Sequence, residues 1–107
     1  MAGGQPETGN VMGAEKPAPV PTTSQLLHRA STGDGDAWDA LVERLAPAVM
    51  RSVRSCGLAG DDVARVWQVV WARLAENLPV LRSDQLDRWL QGAILREAQR
   101  LRRLDGA

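Results

Sequence analysis

The 107-residue chain has no phenylalanine and no tyrosine, and only one histidine, one cysteine and one lysine. Each shortage removes a class of explanation. A single cysteine, Cys56, can neither close an intramolecular disulfide nor supply a cysteine metal cluster. A single histidine, His28, leaves little for histidine-based acid–base or metal chemistry. No apolar run approaches the roughly 20 residues that cross a bilayer, and the first residues lack the charged start and apolar run of a signal peptide. There is no Ser/His/Asp arrangement, glycine-rich phosphate loop or pair of catalytic carboxylates. The expectation is a cytoplasmic, non-membrane protein that is not an enzyme and needs no cofactor or metal. Without Phe or Tyr, a core must be built from Leu, Val and the four tryptophans.

Residues 1 to 23 hold four glycines and four prolines, with only Val11, Met12 and Val20 as sizeable apolar side chains. Such a stretch cannot bury enough surface to offset the entropy of ordering it, so it reads as a disordered tail. A single domain is expected over residues 24–107, about 80 residues, small enough to require dense helical packing.

Ser24 to Thr32 reads as a short leading helix, with Ser24 as its N-cap and Gly33 as its stop. Asp34 or Asp36 can cap the next helix, expected over Ala37–Cys56. There Trp38, Leu41, Val42, Leu45, Val49, Val53 and Cys56 recur every three or four residues, and Pro47 removes one backbone donor. Gly57 suits a left-handed stop. A third helix is expected over Asp62–Ala75, begun by Asp61 and Asp62, with Val63, Val66, Trp67, Val70, Trp71 and Leu74 on one broad face. Pro79 disfavours helix at Leu78. Ser83 or Asp84 then opens a fourth helix, Asp84–Arg103, whose apolar stripe is Leu86, Trp89, Leu90, Ala93, Ile94, Leu101 and Leu104. No strand-like alternation and no internal repeat is present. The fold expected is all-α, a compact three-helix core with a short leading helix. The tryptophans, Cys56 and the paired aspartates read as core and capping residues.

The fourth helix carries the clearest functional signal. Between Arg88 and Leu104 lie five arginines (Arg88, Arg96, Arg100, Arg102 and Arg103) and one acid, Glu97, a local net charge of +4 in a chain with 13 basic and 13 acidic residues. Charge concentrated on one helix of a neutral protein points to a polyanion or an acidic partner. Arginines neutralise phosphates, and a pocket beside a loop can take an unpaired base. The loop from Asn77 to Ser83, with the start of the fourth helix, is the expected pocket. The plainer reading is a solvated arginine face whose stems cover the core.

These residues resemble a known family. Asp36-Ala-Trp-Asp-Ala-Leu-Val-Glu-Arg-Leu-Ala-Pro47 is similar to the first long helix of the small, extracytoplasmic-function type sigma factors of bacterial RNA polymerase. Asp62-Val-Ala-Arg-Val-Trp-Gln-Val-Val-Trp-Ala-Arg-Leu74 resembles their polymerase-binding helix. Trp89-Leu90 followed by Arg96-Glu-Ala-Gln-Arg-Leu-Arg-Arg103 resembles their promoter-reading helix. The likeness runs over residues 24 to 104 and rests on the order and spacing of the three segments together.

The resemblance implies the second conserved region of a sigma factor, which docks on the clamp of RNA polymerase core and opens the minus-ten element of promoter DNA. Carried over, Asp62, Arg65, Gln68 and Arg73 are the expected polymerase contacts. Asn77, Arg82, Arg88, Arg96, Gln99, Arg100 and Arg103 are the expected contacts to the non-template strand, and an anti-sigma factor is a further expected partner. The family's helix-turn-helix for the minus-thirty-five element has no counterpart in the matched residues. Two departures stand out. The family usually has acids where this chain has Arg65 and Val69, and basic residues where it has Gly92 and Leu95. The alternative reading is therefore a sigma-type fold that binds a regulatory protein through the Arg65/Gln68/Arg73 face without reading a promoter.

Overall fold

A computed structural model describes residues 19–105, and these are all-helical, with no strand among them. Four α-helices follow one another: α1 Thr23–Ser31, α2 Gly35–Ser55, α3 Gly60–Asn77 and α4 Leu86–Asp105. Two single-turn 3₁₀ segments, Leu78–Val80 and Ser83–Gln85, lie between α3 and α4. Most of the expected tail falls outside the described residues. Its last five, 19–23, do not, and of these Thr22 caps α1 and Thr23 opens it.

Local chemistry accounts for most of the boundaries. The N-cap of α1 is Thr22 and not Ser24. The Gln25 amide donates to Thr22 Oγ1 (3.0 Å) while the Thr22 amide donates to Gln25 Oε1 (2.8 Å), a reciprocal capping box. Of the two aspartates before α2, Asp34 takes the cap, its Oδ1 accepting from the Ala37 amide at 3.1 Å. Asp36 sits in the first turn. Gly33 and Gly57 end α1 and α2 with φ of 99° and 70°, a region that costs other residues strain. Pro47 lies within a helix assigned without a break, on its exposed side, so the Glu43 carbonyl left without its donor is on the water side. The aspartates at the start of α3 do not cap it. Ala59 is the N-cap and makes no side-chain bond, while Asp61 and Asp62 occupy the first turn, where negative charge favours the helix dipole. α4 likewise begins at Leu86 rather than Asp84, because Arg82 to Gln85 close a tight turn first.

The core is one cluster. α1 gives it Leu26, Leu27 and Ala30, α2 gives Leu41, Leu45, Val49 and Val53, and α3 gives Val66, Val70, Trp71 and Leu74. Leu78 from the connecting loop and Leu86, Leu90, Ala93, Ile94 and Leu101 of α4 complete it. α1 packs along α2 and against the loop, and α2, α3 and α4 each touch the other two. Trp71 is the aromatic centre. Its ring meets Trp67 at 5.3 Å and Trp38 at 6.5 Å, both edge to face, which joins α2 to α3. The Trp71 indole N–H is buried without a hydrogen-bond partner. Leu104 departs from its expected core position, at 60 % exposed in the last turn of α4.

The fully buried Leu74 gives a measure of this packing. Leu74→Ala should cost about 2–5 kcal/mol in denaturant unfolding, whereas Arg65→Ala, on the exposed side of α3, should stay within about 0.5 kcal/mol. Equal losses would show that α3 is packed on a different face.

Candidate nucleic-acid interface

The arginines of α4 do not form one stripe. On a helix, long side chains lean back toward the N-terminus, and residues three or four apart meet. Arg96 follows this rule by lying back over Gly92, where a methyl group would come within 3.2 Å of its Nη1. Gly92 therefore leaves the room that Arg96 occupies, a benefit set against the roughly 1 kcal/mol that glycine costs mid-helix. Arg100 turns back onto Glu97, donating from Nε to both carboxylate oxygens (3.2 and 3.1 Å) and from Nη2 to Oε2.

These side chains line a cleft of about 350 Å³ between α3 and α4, whose walls are Arg73, Ala93, Arg96, Glu97, Gln99, Arg100 and Arg103. Four arginines and a single glutamate therefore line one hollow. Glu97 is 3 % exposed, the one buried charged residue among those described, and Arg100 covers it. The hydrogen bonds and nearby charge of Glu97 raise the Arg100 pKa further above its already high ordinary value. The other three cleft arginines have no carboxylate partner among the ion pairs of the described residues.

The expected site residues thus separate into groups. Arg96, Gln99, Arg100 and Arg103 come together, and Arg73, expected on the polymerase face, joins them from α3. Arg88 lies apart, in a more apolar hollow with Ser52, Ser55, Cys56, Gly92 and Leu95 between α2 and α4. Arg102 is committed to structure, its Nη2 donating to the Cys56 carbonyl at the end of α2. Asp62 is half-buried, while Arg65 and Gln68 are exposed on α3, where positions 65 and 69 hold Arg and Val in place of the expected acids.

The loop behaves differently from its expected part. Asn77 Nδ2 donates to the Arg73 carbonyl (2.8 Å), which ties the side chain to the end of α3. Arg82 is paired in fork geometry with Asp84, at 3.2 Å from Nε and 2.7 Å from Nη2. A hollow of about 380 Å³ does lie beside the loop, but its other wall is α1, through Ser24, Leu27, His28 and Ser31. It shares no lining residue with the arginine cleft.

Among the described residues no three His, Cys, Asp or Glu side chains gather as a metal site, and no helix is long and apolar enough to cross a membrane. Set against known protein families, curated proteins and solved structures, the chain finds no match.

The Arg82–Asp84 pair has a direct signature. The hydrogen bond from Arg82 holds the Asp84 carboxyl below its ordinary range. Because its folded value lies below that of the unfolded chain, the pair favours folding at neutral pH, and that contribution is lost as the pH falls through the carboxylate range. Both groups are well exposed, so the effect on stability is small. In an NMR titration Arg82→Ala should move the Asp84 midpoint upward. An unmoved midpoint would mean that the pair does not persist in solution.

Proposed function

We propose that this domain is a sigma-type transcription initiation module, which holds the minus-ten non-template strand along the arginine cleft between α3 and α4 and meets RNA polymerase core through the outer side of α3. The observation that carries the reading is the convergence of Arg73, Arg96, Arg100 and Arg103, with Gln99, on one hollow. A single arginine on a surface is commonplace. Four from two helices, lining one cleft, make a concentrated positive field that suits closely spaced phosphates. Gln99 adds a side chain able both to donate to and to accept from a base edge.

The order and spacing of the three family-like segments support the transcriptional form of this reading, and the all-α architecture is compatible with it. The strand is proposed to run in the cleft, with Asn77 and Arg82 outside its path because both are engaged within the protein. A second reading is favoured by one observation. The exposed α3 residues Arg65 and Gln68 lack the acids expected of a clamp-binding surface, which suits a regulatory protein partner instead. An anti-sigma factor is the family's own example of such a partner.

Two measurements follow. In fluorescence anisotropy with RNA polymerase core present, single-stranded non-template DNA should bind better than the duplex. Arg96→Ala and Arg103→Ala should each lower affinity and flatten the salt dependence by about 0.7 in log–log slope, while Arg82→Ala should change little. Absence of binding to single-stranded DNA at low salt would remove the nucleic-acid reading and leave the interaction domain. Separately, Arg65→Asp combined with Val69→Glu should tighten binding to polymerase core, since a like charge facing a basic surface costs affinity. If the double variant binds no better than the parent, α3 is not the docking surface for the clamp.

A further inference from the structure

The one acid in the arginine cleft is its most buried polar group, and its position is unusual for a site meant to attract phosphates. Simple charge counting makes Glu97 a liability, because it cancels one of four positive charges and repels an approaching anion. Its geometry argues otherwise. The carboxylate is 3 % exposed on the apolar stripe of α4, between Ala93 and Ile94 one turn before it and Leu101 one turn after, all three buried. From there both of its oxygens accept from Arg100, which is 46 % exposed. The carboxylate is thus fixed by the core, and the guanidinium is fixed by the carboxylate.

We infer that Glu97 is a positioning residue, which anchors the Arg100 guanidinium at the mouth of the cleft so that its remaining N–H groups meet a phosphate without first being ordered. The inference rests on the nucleic-acid reading of the cleft. Arginine gives up considerable rotamer freedom when it is immobilised on a ligand, and a side chain already held loses less. Glu97 bonds Nε and Nη2, so Nη1 and the second proton of Nη2 stay available on the outer side of the fork. Among the described residues Arg96, Arg103 and Arg73 have no such anchor and supply charge, whereas Arg100 supplies charge at a fixed place.

Charge and positioning predict opposite signs for one substitution. Glu97→Gln raises the net charge of the cleft by one. If attraction alone governs binding, the variant binds a fluorescein-labelled oligothymidine more tightly; if anchoring governs, it binds more weakly, by roughly three- to tenfold. The Arg100→Gln background isolates the cause. There Glu97 has nothing to hold, so adding Glu97→Gln should produce no further loss. A purely structural role for Glu97 would weaken binding equally in both backgrounds, and that outcome overturns the inference, as does tighter binding by the single variant.

A readout without DNA separates this inference from the reading beneath it. In the full chain labelled with ¹⁵N-arginine, the Arg100 Nε–H signal should be ordered and slow to exchange, and Glu97→Gln should release it. An Arg100 Nε as mobile as that of Arg96 in the parent protein overturns the anchor. An anchored Arg100 in a protein that does not bind the oligothymidine would overturn the nucleic-acid reading instead.

Discussion

Packing of α3 against α4 is the contact on which the rest depends. α3 presents Val66, Val70 and Leu74, each completely buried, and α4 answers with Leu86, Leu90, Ala93, Ile94 and Leu101. These are modest side chains, and their dispersion and transfer terms are large only because so many are removed from water together. The cleft is the outer margin of the same contact. Arg73 and the arginines of α4 flank the apolar seam because helices that meet along a stripe bring their polar borders side by side. The hydrophobic interface is thus what brings the arginines together, and a substitution that shifts the seam would also disperse them.

Different residues held the structure at different degrees of visibility in the sequence. The number of helices, their order and the buried residues of α2, α3 and α4 from Leu41 to Leu101 largely followed from apolar periodicity, whereas the core positions Leu26, Leu27, Ala30, Ala37 and Leu78 did not. Leu104 fitted the same period yet is exposed, since periodicity identifies a face of a helix but not where its neighbour ends. The choice between Asp34 and Asp36, and the cap at Thr22 where Ser24 was expected, turned on backbone geometry that residue type does not distinguish.

The site was less legible than the fold. Arg73 lies about 140° around the helix from Gln68 at 100° per residue, so the spacing alone hints that the two serve different faces. Which face meets α4 required the packing. Glu97 reads in sequence as a lone acid among arginines, although its place one turn from Ala93 and Leu101 marks it as an interior position. The Arg82–Asp84 pair spans two residues of an irregular loop, where no periodicity applies. The separation of Arg88 from Arg96 depends on which hollow each side chain borders, and this too lies beyond spacing.

The edge-to-face tryptophans give the molecule an optical consequence. With no tyrosine or phenylalanine in the chain, its near-ultraviolet signal comes almost entirely from indoles. Three of the four lie in one cluster, with Trp71 between a ring from α2 and another from its own helix. Fixed rings at such distances make near-ultraviolet dichroism sensitive to their mutual orientation, and that signal is lost when side-chain packing loosens while helices persist. The protein therefore carries a built-in gauge of the α2–α3 junction, independent of far-ultraviolet helicity, through which loosening of the core can be followed without an added label.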